Sequence, residues 1–265
     1  MKRIVTASLS VVLAAALVFL PTACESARGV LIVGFSTNPP MISIDGDGAV
    51  SGFDAEFARL AGDKLNMDVE FKEINWADRY DELDSGAVDC VWCGFTANVA
   101  DEDGVNRSDK VDFSYSYMLN QQCVVTKAEN TADYMSAGDL TGKTAAVMES
   151  SAGESAAIGD TGSILSCDSQ ESALDKVRSG EADCAVVDML LAQRFVGPSG
   201  GYGDLAVTDI AMPAEVYAVG FKKGSSLRGK INGAIKYLYN NGSLLELAVK
   251  YGLENKLSVD TKFKG

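Results

Sequence analysis

The sequence predicts an α/β protein of two lobes, each a mostly parallel sheet flanked by helices, and three observations carry that expectation. A short unit occurs twice: Ser85-Gly-Ala-Val-Asp89 and Ser179-Gly-Glu-Ala-Asp183 each lead from a helical pattern into an apolar run, with glycine where a left-handed residue ends a helix. Runs such as 30–33 (VLIV) and 145–148 (AAVM) are continuously apolar, as strands covered on both faces are. Between them lie patterns of helical period, for example Phe53, Phe57, Leu60, Ala61 and Leu65. Two copies of one helix-to-strand unit imply two similar lobes. Open α/β sheets bind ligands beyond the carboxyl ends of their strands, so the residues just past the first copy should face those just past the second.

Residues 1–23 read as a secretion signal. Lys2 and Arg3 precede an apolar run whose uninterrupted part, 11–20, is shorter than the roughly 18 residues of a membrane-spanning helix. The run ends in Leu20-Pro-Thr-Ala-Cys24, which is similar to the bacterial lipoprotein signal, with the leucine one place early. On that reading Cys24 becomes an acylated N-terminus that holds the protein on the outer face of a membrane, and residues 24–29 are a tether. An ordinary cleaved signal that leaves a free thiol is the alternative.

The first lobe is expected over 30–119 plus 219–265, and the second over 123–215. After the strand at 30–33, Pro39-Pro40 marks an irregular loop, and Asp45-Gly-Asp-Gly48 a turn. Gly52-Phe-Asp54 opens a helix with Asp54 near its cap, and 69–71 is a second strand. Trp76, just outside that strand, is either core or a ligand platform. The stretch from Asp89 to Ser114 reads as one wall of a cleft. Val91 and Trp92 have strand chemistry, Gly94 permits close backbone approach, and Thr96 places a hydroxyl past the strand end. After an acidic insert comes Arg107, whose guanidinium fork either grips a carboxylate or lies solvated on the surface.

In the second lobe, Glu149-Ser-Ser-Ala-Gly153 precedes a helix expected from Glu154, so Ser151 and the following amides can meet an anion. Asp188 stands just past the strand 185–187, where it either caps the next helix or meets a cation across from Arg107. No proline- or serine-rich linker separates the lobes. The connection reads as two crossing strands near 119–122 and 215–219, acting as a hinge.

Composition narrows the chemistry. A formal charge of −14 argues against nucleic acid and anionic lipid headgroups as partners. The chain has no histidine, which removes the usual general base, the commonest metal ligand and the Ser-His and Cys-His nucleophile pairs. Apart from Cys24 there remain Cys90, Cys93, Cys123, Cys167 and Cys184, an odd set read mostly as small buried hydrophobes. No metal or cofactor is expected.

As a set, Leu31-Ile-Val-Gly34, Pro40, Gly52-Phe-Asp54, Trp76, the two Ser-Gly-x-x-Asp units, Gly94-Phe-Thr96, Arg107-x-x-x-Val-Asp-Phe-Ser114, Leu140-x-Gly-Lys143, Asp188 and Lys250-Tyr251 resemble the extracellular solute-binding proteins of polar amino acid ABC transporters. The likeness spans roughly residues 30–252. It implies a type II periplasmic-binding fold that closes on one amino acid and delivers it to a membrane permease, as a monomer. It further implies that Arg107 holds the ligand carboxylate, assisted by Ser151 and the neighbouring Ala152. Asp188 would take the ammonium, while Thr96, Cys93 and Gly94 complete the site and Trp76 is the aromatic platform. Two departures stand out: residues 100–106 lengthen the gap from Thr96 to Arg107, and Asn38, with Phe35 nearby, stands where relatives carry an aromatic. Two other classes share the fold's chemistry: a dehydratase-like enzyme, for which Glu149 is the candidate carboxylate, and an amino acid sensor module.

Overall fold

The computed structural model describes residues 28–263, so the leader, Cys24 and most of the tether lie outside it. One sheet has the strand order Met67–Glu73, Gly29–Phe35, Cys90–Val91, Gly220–Phe221, Asp112–Phe113. The other has the order Leu205–Val207, Ser116–Lys127, Cys184–Asp188, Thr144–Met148, Ser163–Cys167. In each sheet the strands built by strand–helix–strand units pair in parallel. The strands contributed by chain crossing between the lobes pair antiparallel. The result is the expected two-lobed α/β architecture.

Both copies of the repeated unit fold alike. The helices Arg79–Ser85 and Gln170–Ser179 end in left-handed Gly86 and Gly180, at φ 75° and 83°. In each copy the closing aspartate then clasps the neighbouring strand. Asp89 accepts the Ile32 amide at 2.8 Å, and Asp183 accepts the Thr144 amide at 2.8 Å.

Ser116–Lys127 is twelve residues long and serves both lobes: Tyr117 and Met118 lie in the first core, Cys123 and Val125 in the second. Ala214–Tyr217 pairs with it antiparallel, Glu215 opposite Asn120 and Tyr217 opposite Met118. Leu257–Asp260, which the sequence pattern does not mark as a strand, pairs there as well.

The first core gathers Phe53 and Phe57 of the helix Phe53–Leu65 against Trp92, Tyr117 and the apolar face of Leu227–Asn240. The Phe57 and Trp92 rings meet edge-on at 4.8 Å. The second core is aliphatic, with Leu174, Val177, Val187 and Leu191 among its members. Each large side chain of this kind contributes about 1.5–3 kcal/mol by burial. Cys90, Cys93, Cys123, Cys167 and Cys184 are free, buried thiols, and burial pushes their pKa up, to about 12 for Cys93 and Cys184.

Gly52 caps Phe53–Leu65 and Asp54 lies in its first turn, as expected, but the Asp54 side chain makes no capping bond and turns inward to accept the Gly94 amide at 2.6 Å and the Tyr117 hydroxyl at 2.8 Å. One local expectation is corrected. The helix expected from Glu154 begins at Ala152, because Ser151 caps it by accepting the Glu154 amide at 3.1 Å.

Candidate functional site

A cavity lies between the two sheets. The loop after Gly29–Phe35 contributes Ser36, Thr37 and Asn38, and the first lobe adds Trp76, Cys93, Gly94, Thr96 and Arg107. Met148, Ser151, Ala152, Gly153, Gln170 and Asp188 face them from the second lobe, and Gln122 from the long connecting strand. The repeat's forecast holds in geometry: the segment beyond Cys90–Val91 faces the carboxyl end of the parallel strand Cys184–Asp188. Asn38 joins the two directly, its Nδ2 donating to the Cys93 carbonyl at 3.3 Å and to Asp188 Oδ2 at 3.0 Å.

The two charged side chains among the lining residues, Arg107 and Asp188, come from opposite lobes. Both are almost completely buried. The lengthened loop does not carry Arg107 away from Thr96. The Arg107 amide donates to the Val99 carbonyl at 3.1 Å, and Arg107 Nη1 donates to the Thr96 carbonyl, eleven residues back, at 3.1 Å. Nε donates to Asp101 at 2.7 Å and Nη2 to the Ser150 carbonyl at 3.3 Å. A guanidinium has five N–H donors, so one on each terminal nitrogen remains for a ligand carboxylate.

Asp101, in the acidic insert, is the counter-ion for a buried cluster, paired with Arg107, Arg79 at 2.8 Å and Lys110 at 2.9 Å. Burial raises its pKa, but Arg107 and Arg79, with the Tyr80 hydroxyl and Lys110, outweigh it and hold the carboxyl at about 2. Arg79 also lies against the Trp76 and Tyr80 rings, its guanidinium carbon 4.8 and 4.2 Å from their centroids. The buried part of this end, two guanidiniums against one carboxylate, therefore carries net positive charge, while Lys110 is also paired with the exposed Asp103 at 2.8 Å.

The opposite end is acidic. Although Asp188 stands at the N-cap of Met189–Phe195, its side chain makes no capping bond; it turns into the cavity. Four amide nitrogens donate to it: Asn120 at 2.8 Å and Gln122 at 2.7 Å to Oδ1, Asn38 at 3.0 Å and Gln170 at 2.8 Å to Oδ2. Its own backbone amide donates to Gln170 Oε1 at 2.7 Å. Gln122 and Asn120 point the same way because they are two residues apart on one strand. The sequence pattern marks that strand but carries no signal for which of its faces meets the site. Gln170 was missed because nothing near it in sequence marks it; it opens the helix after Ser163–Cys167.

Gly94 has φ 71°, and a Cβ there would sit 2.8 Å from Asn38 Nδ2 and 3.1 Å from the Tyr217 ring. A larger residue is thus strained and crowded out of the cavity wall. Trp76 lines the cavity and closes it, donating from Nε1 to the Ser150 carbonyl at 3.0 Å. Phe35 is a correction. It is not among the lining residues, because the strand continues through it, opposite Glu73, and its ring packs edge-on against Phe71 at 6.1 Å. Glu149 is exposed and outside the lining.

The L-cystine-binding protein TcyA of Bacillus subtilis (strain 168) is 29% identical over 227 residues, covering 84% of this chain and 81% of the relative. The arginine-binding extracellular protein ArtP of the same organism is 27% identical over 260 residues, covering 92% and 96%. Among solved structures, a substrate binding protein of an ABC uptake transporter from Streptococcus pneumoniae with bound histidine superposes with a TM-score of 0.76 at 29% identity, covering 86% of this chain and 94% of that one. A model of the bacterial extracellular solute-binding proteins, family 3, matches residues 31–254. With that match spanning both lobes and the cavity between them, the chain belongs to the bacterial extracellular solute-binding proteins, family 3.

Proposed function

We propose that this protein captures an extracytoplasmic amino acid between its lobes and delivers it to the permease of an ABC importer. One observation carries the reading: a guanidinium and a carboxylate, supplied by opposite lobes, are the charged groups lining one buried cavity. A zwitterion enclosed in such a space needs both its charges paired, and a clamp of this kind is satisfied only when the lobes are together. Arg107 and Ser151, with the Ala152 amide, would hold the carboxylate, and Asp188 the ammonium. Thr96 and the backbone at Cys93 and Gly94 would complete the contact, and Trp76 would cover the ligand. The strands Ser116–Lys127 and Ala214–Tyr217 would act as the hinge. Among the described residues no further charge lines the cavity, which favours a neutral side chain, and Met148, Cys93 and Trp76 favour a sulfur-bearing or otherwise polarizable one.

On the same reading the chain acts as a monomer, held to the outer face of the membrane by acyl chains on Cys24. Binding is favoured over catalysis because Glu149, the candidate catalytic carboxylate, lies outside the cavity lining. The test is a thermal-shift screen of the twenty amino acids together with L-cystine. A ligand that binds only the folded, closed protein raises the melting temperature by mass action. A rise with at least one of them is expected, and it should vanish in Asp188→Ala. No rise with any would refute the assignment.

A further inference from the structure

Behind the cavity wall lies a second buried carboxylate, Glu215, on the crossing strand Ala214–Tyr217. It shares its donors with Asp188. Asn120 Nδ2 donates to Asp188 Oδ1 at 2.8 Å and to Glu215 Oε2 at 3.1 Å. Gln122 Nε2 donates to the same two oxygens at 2.7 and 2.9 Å. Thr96, which lines the cavity, donates its hydroxyl to Glu215 Oε2 at 3.2 Å. Two carboxylates thus sit on one pair of amides, and among the described residues neither has a lysine or arginine within salt-bridge distance. The charged and titratable groups around Glu215 are Asp188 from the second lobe, Arg107 from the first and Tyr217 on its own strand.

We propose that Glu215 is a proton-linked positioning residue of this site: the arrival of the ligand's ammonium at Asp188 supplies the missing positive charge, and Glu215 then releases its proton to solvent. This rests on the amino acid reading of the cavity. In the unliganded protein two ionised carboxylates on shared donors repel each other in a medium of low dielectric, so Glu215 holds a proton. Burial first, and the Asp188 carboxylate second, push its pKa up to about 7, against the donors from Gln122 and Asn120. An ammonium bound at Asp188 cancels that repulsion. The O–H bond of the Glu215 carboxyl breaks, the proton passes to buffer, and the carboxylate formed tightens its hold on Thr96, Asn120 and Gln122, which shape the ammonium end of the cavity. The same site therefore gains affinity as pH rises towards neutrality, and the gain is tied to a residue that does not line the cavity.

The experiment tracks the thermal shift given by L-cystine, L-arginine, L-histidine and L-glutamine from about pH 6 to about pH 8 in the wild type and in Glu215→Gln. For one released proton, apparent affinity in the wild type should rise by up to about tenfold per pH unit below the group's pKa. The isosteric Glu215→Gln should lose that slope while still binding. Calorimetry on the wild type alone, in phosphate and in Tris, counts protons directly and does not depend on how the variant folds; a release approaching one proton near pH 6 is expected. A wild type that binds with no pH slope and releases no proton would overturn the proposal and leave the amino acid reading intact, as would an unchanged slope in Glu215→Gln. If none of the four amino acids shifts the wild type at any pH, the amino acid reading falls and takes this proposal with it.

Discussion

The two Ser-Gly-x-x-Asp units are the same device used twice. Each ends a helix on a left-handed glycine, and each uses its aspartate to hold the neighbouring strand through one backbone amide, Ile32 in one lobe and Thr144 in the other. Beyond the strands they diverge. After Cys90–Val91 the chain reaches Gly94, Thr96 and a buried cationic cluster around Asp101; Cys184–Asp188 itself ends on an aspartate wrapped in amides. The scaffold is shared between lobes and the charge is not. An enclosed gap with one electropositive and one electronegative wall suits a small molecule that carries both signs, and Ser116–Lys127, which runs through both cores, brings Asn120 and Gln122 to the acidic side.

That contrast can be broken most sharply at its acidic wall. Asp188→Ala should weaken amino acid binding by about two orders of magnitude or more, since losing one partner of a buried charge pair costs about 2–5 kcal/mol. Isothermal calorimetry measures this, and unchanged affinity would remove Asp188 from the site. On the cationic wall, Asp101→Ala leaves Arg79 and Arg107 buried without their counter-ion and should cost about 3–5 kcal/mol of stability in urea unfolding. Separately, the carboxyl's pKa of about 2 implies a smaller, pH-dependent contribution that is present above the ordinary aspartate pKa of 3.8 and lost as pH falls through that range towards 2.

A paired substitution tests the shared scaffold. Asp89→Asn and Asp183→Asn each weaken one charge-assisted bond to a backbone amide, so each should cost about 1–2 kcal/mol. A large inequality between them would mean that the two units are alike in shape but not in energetic weight. The smallest effect concerns Asp54, which holds the Gly94 amide. Burial pushes its carboxyl up to about 7, against the Tyr117 hydroxyl and the Gly94 amide. An acid raised in the folded state contributes stability that is full below its unfolded pKa and lost as pH rises through about 7. The unliganded protein should therefore melt a few degrees lower at pH 8 than at pH 6, in calorimetric scans, with a shallower slope in Asp54→Asn.

Much of this was legible in the sequence because it depends on local rules. Gly86 and Gly180, the apolar runs, the helical periodicity of Phe53, Phe57 and Ala61, and the place of Asp188 at one strand's end and of Arg107 beyond another's all follow from backbone chemistry and strand topology. Phe35 went the other way. Read as part of the loop beyond the strand, it is still within the strand and belongs to the core, a matter of two residues in where a strand ends. Asp101 could not be singled out from Glu102 and Asp103, since three adjacent acids differ only in which of them the folded loop turns towards Arg79 and Arg107.

The amino acid sequence by itself determined two matching lobes, their crossing connection and one charged group on each side of a cleft, because helix ends, strand periods and repeats are written over a few residues. Only the tertiary structure decided the company those groups keep. Asn38, Asn120, Gln122 and Gln170 come from separate parts of the chain to surround Asp188, and Glu215 joins them through two shared amides. Such convergence depends on how distant elements pack, and no local pattern encodes it.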